Sequence, residues 1–253
     1  MDPYRWSWDP DALVVVPGLA VAYAIACSRF PAPRWRIACF AVGCALMLGV
    51  LITPLDTLAL HSLLLMHLLQ NVVLAEWAPL LCVLGLTPAM AAALERIPGA
   101  RIATHPFVAL PVWLATYYAW HVPWAYDAAL RHQWTLLHLE HAMYFAAGCL
   151  VWWPVVHGRL AAGGKVLYVF AAFVLASPLG LGLALLPRPV YDFYAQAPEL
   201  WGLSHLADQQ IAGVTMAAEQ AVVLFAALVV CVRRFFHEEG SADTYRVPTV
   251  RRS

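Results

Sequence analysis

Seven apolar segments restrict the fold of this chain more than any motif in it. They run approximately over residues 12–28, 36–53, 61–86, 106–122, 134–156, 165–186 and 209–232. Each is near the roughly 20 residues that a helix needs to cross about 30 Å of hydrocarbon. Backbone N–H and C=O groups in lipid must pair within the segment, so such runs fold as helices. Proline and glycine mark the joins, as in RFPAPRWR, ITPLD, ERIPGAR, HVPWAYD and HGRLAAGGK. The expectation is an all-α integral membrane protein with seven transmembrane helices in one domain, residues 1–236. A polar stretch over 237–253 reads as a flexible cytoplasmic tail.

Composition supports this reading. Charged residues make up 12% of the chain, about half the roughly 25% of a soluble domain. The net charge is zero, so no basic footprint for nucleic acid is present. The N-terminal MDPYRWSWDPD has neither a basic n-region nor an A-x-A site, so no cleaved leader is expected and the first apolar run reads as a permanent span. The six cysteines lie in or beside apolar runs without a CxxC pair. They read as small buried hydrophobes rather than as a disulfide framework or thiolate site.

Lysine and arginine set the orientation. With the N-terminus outside, twelve of them fall in inner loops and the C-terminal segment, and only Arg5, Arg131 and Arg188 fall outside. The expected topology is N-out and C-in. Trp6, Trp8, Trp124, Trp134 and Trp201 then lie near the outer interface, as aromatic belts do.

On this topology seven of ten histidines collect on the outer half: His61, His67, His121, His132, His138, His141 and His205. Asp56, Asp127, Asp192, Glu199 and Asp208 fall in outer segments too. His138 and His141 are three apart and share a helix face. His61 and His67 open the third segment, with Met66 beside His67 and Asn71 one turn deeper. Asp208 and Met216 lie eight apart and share a face of the seventh. Glu76 and Glu219 fall about midway through their spans, and Glu140 is shallower. A midplane carboxylate needs a partner or a proton; a structural pair with Gln220 or a tyrosine and a proton or ion path are both open.

An interfacial histidine is often only an amphipathic side chain at the headgroups, and a methionine is more often packing than ligand. His67, His121, His138 and His141 differ in lying at or inside the apolar boundary, where polar groups face the bundle interior. Imidazole with thioether and no thiolate suits copper, the thioether selecting Cu(I). Haem held by paired histidines, a copper transporter using Glu76 and Glu219, and a metal-free assembly scaffold are the alternatives. No HExxH occurs, so a zinc protease is unsupported. The sole lysine, Lys165, opens the sixth span rather than the seventh, which argues against a retinal Schiff base.

Three blocks resemble the CtaG-type cytochrome c oxidase assembly factors, bacterial seven-helix membrane proteins. The first is HSLLLMHLLQNVVLAEWAPLLCVLG, with His67, Gln70, Pro79 and Gly85. The second is WHVPWAYDAALRHQWTLLHLEHAMYFAAGCLVWWP, with His121, Tyr126, Asp127, Glu140, His141, Gly148 and Trp152. The third is LADQQIAGVTM, with Asp208, Gln209, Gly213 and Met216. The resemblance implies a multi-pass protein of the bacterial plasma membrane that handles copper without enzymatic turnover. Its partners would be cytochrome c oxidase subunits or a soluble copper chaperone. Carried onto this sequence it implies His67, His121, His141, Met216 and Asp208 as the metal site, Asp208 by orienting an imidazole. His138 is added from its helix face. His61, Met66, Glu140 and His205 are secondary candidates. One position departs from the pattern: Asn71 stands where relatives carry a second histidine.

Overall fold

The computed structural model describes residues 2–244, and among these no strand occurs. The first helices are α1 (Pro10–Arg29), α2 (Arg34–Ile52) and the short α3 (Pro54–His61). A long α4 (Leu64–Gly85) follows, then α5 (Pro88–Leu94) and α6 (Ala100–Ala103). Next come α7 (Pro106–Trp120), α8 (Pro123–Arg131) and α9 (His138–Val156), which is entered through a π-turn at Gln133–Leu137. The last are α10 (Ala162–Leu185), α11 (Asp192–Ala195) and α12 (His205–Thr244). Prolines at the first turns of α3, α5, α7 and α8 start helices where no N–H is needed.

Five of these helices are long and apolar enough to cross a membrane: Ala12–Arg29, Arg34–Ile52, Leu64–Gly85, Ala162–Leu185 and His205–Glu238. The other two expected spans correspond to α7, which has 15 residues, and to α9, whose first turn carries His138, Glu140 and His141. The helix α12 runs on to Thr244. Residues 237–244, expected in a flexible tail, are therefore helical; residues 245–253 of that expected tail lie outside the described residues.

The expected third span, 61–86, is the helix Leu64–Gly85, and His61 belongs instead to the preceding short α3. Thr53 caps α3 by accepting from the Leu55 N–H at 3.3 Å. The chain then breaks at Ser62 and Leu63, the latter extended at φ −127°, ψ 116°. The first amides of α4 have no partner within the helix. Asp208 supplies one from α12: its two carboxylate oxygens accept from Leu64 N at 2.7 Å and Leu65 N at 3.1 Å. The start of α4 is thus set by a residue 144 positions away in sequence.

Pro79 shapes the middle of α4. Without an N–H it cannot bond the carbonyl of Ala75, and the helix widens into a π-turn over Val73–Trp77. Trp113 of α7 donates to the freed Ala75 carbonyl at 3.3 Å, and Trp152 of α9 donates to the Glu76 carbonyl at 2.9 Å. Helix α9 approaches closely here because residue 148 is glycine. A Cβ at Gly148 would lie 2.4 Å from the Ala75 oxygen. The pair α10 and α12 closes in the same way at Gly213, where a Cβ would meet Ala184 N at 2.5 Å. Small residues at such crossings let backbones meet where lipid offers no hydrophobic drive between helices.

Candidate functional site

Three helices carry the central imidazoles, those of His67 and His121 buried and that of His141 half-buried. His67 lies in the first turn of α4, His121 ends α7, and His141 lies in the first turn of α9. The His67 and His141 rings meet edge to face with centroids 6.2 Å apart. Tyr126 of α8 stands between His67 and His121, 5.0 Å from the first ring and 5.7 Å from the second. His67 and Tyr126 have no solvent exposure.

Hydrogen bonds fix which ring nitrogen carries the lone pair. Tyr194 donates its hydroxyl hydrogen to the Ala59 carbonyl at 2.5 Å. Its contact with His67 Nδ1 at 3.0 Å must therefore be accepted from an Nδ1–H. His121 Nδ1 lies 2.7 Å from the Tyr117 carbonyl, which can only accept. Tyr144 also reaches that Nδ1, at 3.2 Å. In both imidazoles the proton sits on Nδ1 and the lone pair on Nε2. The Nε2 atoms of His67, His121 and His141 are all buried without a hydrogen-bond partner, and so is the Tyr126 hydroxyl. Unpaired polar atoms are rare in a folded interior. Two of them belong to the His67 and His141 rings in contact, and the third, on His121, is joined to His67 through Tyr126, so that together they form a cluster of buried Lewis bases.

Asp127 secures the residue that orients His67. Its carboxylate accepts from the amides of Asp192 at 3.2 Å and Phe193 at 3.0 Å. This holds α11, and with it Tyr194, over the cluster. Below the histidines, Asn71 donates to Glu140 at 3.4 Å, while Asn71 Oδ1 and Glu140 Oε2 are buried without partners. Deeper still, Glu76 accepts from Gln220 at 2.8 Å and Tyr117 at 3.3 Å. The Glu76 carboxyl thus has the Gln and Tyr partners that the sequence left open.

A vestibule of about 630 Å³ leads to the cluster. Residues before α1, α3 and the π-turn before α9 line it, including Trp8, Asp56, His61, His138 and His141. His141 is thus shared by the vestibule and the cluster. His138 stands at the mouth, its Nε2 3.6 Å from Asp9. Burial pushes the Asp56 carboxyl up to about 6, although hydrogen bonds from Ser7 and Gln70 oppose the shift. Burial lowers the His61 imidazole, helped by the positive charge of Arg5.

The structure thus brings together His67, His121 and His141, with Glu140 and Asn71 beneath them. The other candidates lie in other settings. His61 ends α3 and is exposed in the vestibule, so it does not open the span that carries His67. His205 faces Glu199 at 3.8 Å. Met66 is half-buried and neighbours His67 in sequence, where adjacent helical positions point about 100° apart. Met216 is buried on α12. Asp208 does not orient an imidazole: both its oxygens go to backbone amides of α4. Tyr194 and the Tyr117 carbonyl take that role. Their signal in the sequence was slight, because Tyr194 lies in a loop helix far along the chain and a carbonyl has no residue signature.

Among the described residues, no group of three or more His, Cys, Asp or Glu side chains is already arranged to hold a metal ion. The donors are nevertheless of the right kind, being unpaired imidazole nitrogens, with the tautomer of His67 and His121 fixed by their Nδ1 hydrogen bonds. Two imidazoles bound to one ion at about 2 Å from each nitrogen have ring centroids up to roughly 6 Å apart, close to the His67–His141 separation.

A family model described as cytochrome c oxidase caa3 assembly factor, Caa3_CtaG, matches residues 20–238. Neither a curated protein nor a solved structure matches the chain.

Proposed function

Because this chain belongs to the caa3-type cytochrome c oxidase assembly factor family, we propose that it binds copper as Cu(I) at the cluster of His67, His121 and His141 and hands it on for oxidase assembly. In this reading it crosses the bacterial plasma membrane seven times, with α7 and α9 as the spans beyond the five most apolar helices. The vestibule then faces the outer compartment, as the lysine and arginine bias requires. Copper is cargo here rather than a resident cofactor. It enters past His138 and His61 and leaves to an oxidase subunit or a soluble copper chaperone.

One observation carries the proposal: the Nε2 atoms of His67, His121 and His141 are buried and have no hydrogen-bond partner. Imidazole nitrogen is a good ligand for copper, and the Nδ1 hydrogen bonds hold the first two rings with the free lone pair on Nε2. Asn71, which replaces an expected histidine, leaves the donor set short, and a site that must release its metal needs exchangeable rather than saturating ligands. Turnover of a substrate plays no part.

The test is copper retention by detergent-purified protein loaded with Cu(I) under reductant and desalted, with a visible spectrum. Wild type should keep close to one copper per chain. His67→Ala/His141→Ala should keep none, whereas His138→Ala should load more slowly yet retain the metal. His121→Gln, a milder change, checks that loss does not merely reflect unfolding. Wild-type protein that retains no copper overturns the proposal. A Soret band in its place points to haem.

A further inference from the structure

At the end of the molecule opposite the histidines a second cavity, about 590 Å³, opens between α2, α4, α9, α10 and α12. Its walls are apolar, with Trp77, Leu80 and Leu84 on one side and Val223 and Ala227 on another. Among the described side chains, its rim carries Arg36, Lys165 and Arg234 against one carboxylate, Glu238. Arg36 lies at the start of α2, whose far end joins the vestibule helix α3. Arg234 lies 26 residues beyond the Asp208 cap, roughly 39 Å along α12 at 1.5 Å per residue. The basic rim and the histidine cluster therefore occupy opposite ends of the bundle.

The rim cations are held in place by neutral groups. Arg36 donates to the Leu84 carbonyl at 2.7 Å and also to the Leu86 carbonyl. Lys165 donates to the Val155 carbonyl at 2.8 Å. Carbonyls fix the position of a cation without cancelling its charge. Arg234 is exposed. We propose that this groove is a binding site for one anionic phospholipid, its phosphate at Arg36, Lys165 and Arg234 and an acyl chain along Trp77 and Leu84. The occupant follows from charge and shape together: an apolar slot parallel to membrane-spanning helices, closed at one end by fixed positive charge, matches an amphiphile with an anionic head. Basic pockets between transmembrane helices on the cytoplasmic side take such headgroups. The site is independent of the copper reading, since it shares no side chain with the histidine cluster.

The test adds phosphatidylglycerol, or phosphatidylcholine with the same acyl chains, to delipidated protein in neutral detergent. It reads the melting temperature and the lipid retained in native mass spectra. Phosphatidylglycerol should raise the melting temperature more than phosphatidylcholine, and one molecule should be retained. Each cation near a headgroup contributes a factor of roughly five in affinity, so Lys165→Gln/Arg234→Gln should bind phosphatidylglycerol about 30-fold more weakly. Ala226→Trp fills the groove and leaves the charges in place. It should abolish retention while preserving the lipid-free melting temperature. Equal stabilisation by the two lipids overturns the proposal, as does phosphatidylglycerol selectivity that survives both variants. The second result would mean that the lipid sits elsewhere or that the groove takes a protein helix.

Discussion

The Trp113 indole donates to the Ala75 carbonyl, the one acceptor in α4 that Pro79 leaves without its helical partner. The proline, the π-turn and the tryptophan form one arrangement: a helix defect made by one side chain and satisfied by another 38 residues along the chain. Trp113→Phe keeps most of the ring volume and removes only the donor. The carbonyl would then lie unpaired in an apolar interior, at a cost of about 1–2 kcal/mol. A lower melting temperature in detergent, with copper retention unchanged, is the expected result. A melting temperature equal to wild type would mean that water or another group reaches the carbonyl.

The cap from Asp208 separates a structural from a ligand role. Asp208→Ala strips the acceptors from Leu64 N and Leu65 N and should cost about 1 kcal/mol or more, as lost helix caps do. Copper stoichiometry should survive, because the imidazoles are held by other groups. Copper lost at undiminished stability would instead make Asp208 a ligand.

Much of this architecture could be read from the sequence because bilayer thickness and backbone pairing leave few choices. Each of the seven apolar runs contains a helix, and the polar residues at the ends of several runs pointed to where the histidines gather. The three residues that converge, His67, His121 and His141, were among the candidates. The break at Ser62–Leu63 was less accessible, because a cap drawn from α12 leaves no trace in the local sequence. For the same reason Asp208 looked like part of the metal site: a carboxylate near histidines in a pattern does not reveal that its oxygens are used by amides. Pro79, Gly148 and Trp152 stood out only through resemblance. Their reason is packing, since Gly148 lies against the Ala75 carbonyl and Trp152 donates to the next one.

Tyr194 should tune the proposed copper site without binding metal. Tyr194→Phe removes the acceptor from His67 Nδ1, so the ring loses its fixed tautomer and orientation. Partners of this kind typically govern affinity by about 10- to 100-fold. Competition with a Cu(I) chelator should show that loss, while saturating copper still fills the site. An unchanged affinity would show that packing against Tyr126 alone orients His67.

Asp56 gives the fold a pH dependence of predictable sign. Burial raises its carboxyl from 3.8 to about 6 in the folded chain, so the folded state holds the proton more tightly than the unfolded state. Below about pH 4 both states are protonated and the penalty of burying a charge is absent. As the pH rises from about 4 to about 6 the unfolded chain ionises first, and stability falls. Above about 6 the loss is complete, on the order of 2–3 kcal/mol at about 1.4 kcal/mol per pKa unit. Asp56→Asn retains an oxygen to accept from Gln70, which bonds Oδ1 at 2.8 Å, and carries no charge. Its melting temperature should match or fall slightly below wild type near pH 4.5 and exceed it near pH 7, within the frame set by ordinary carboxylate titration. Parallel profiles for the two proteins would mean that the vestibule solvates Asp56 well enough to keep it ionised at no cost.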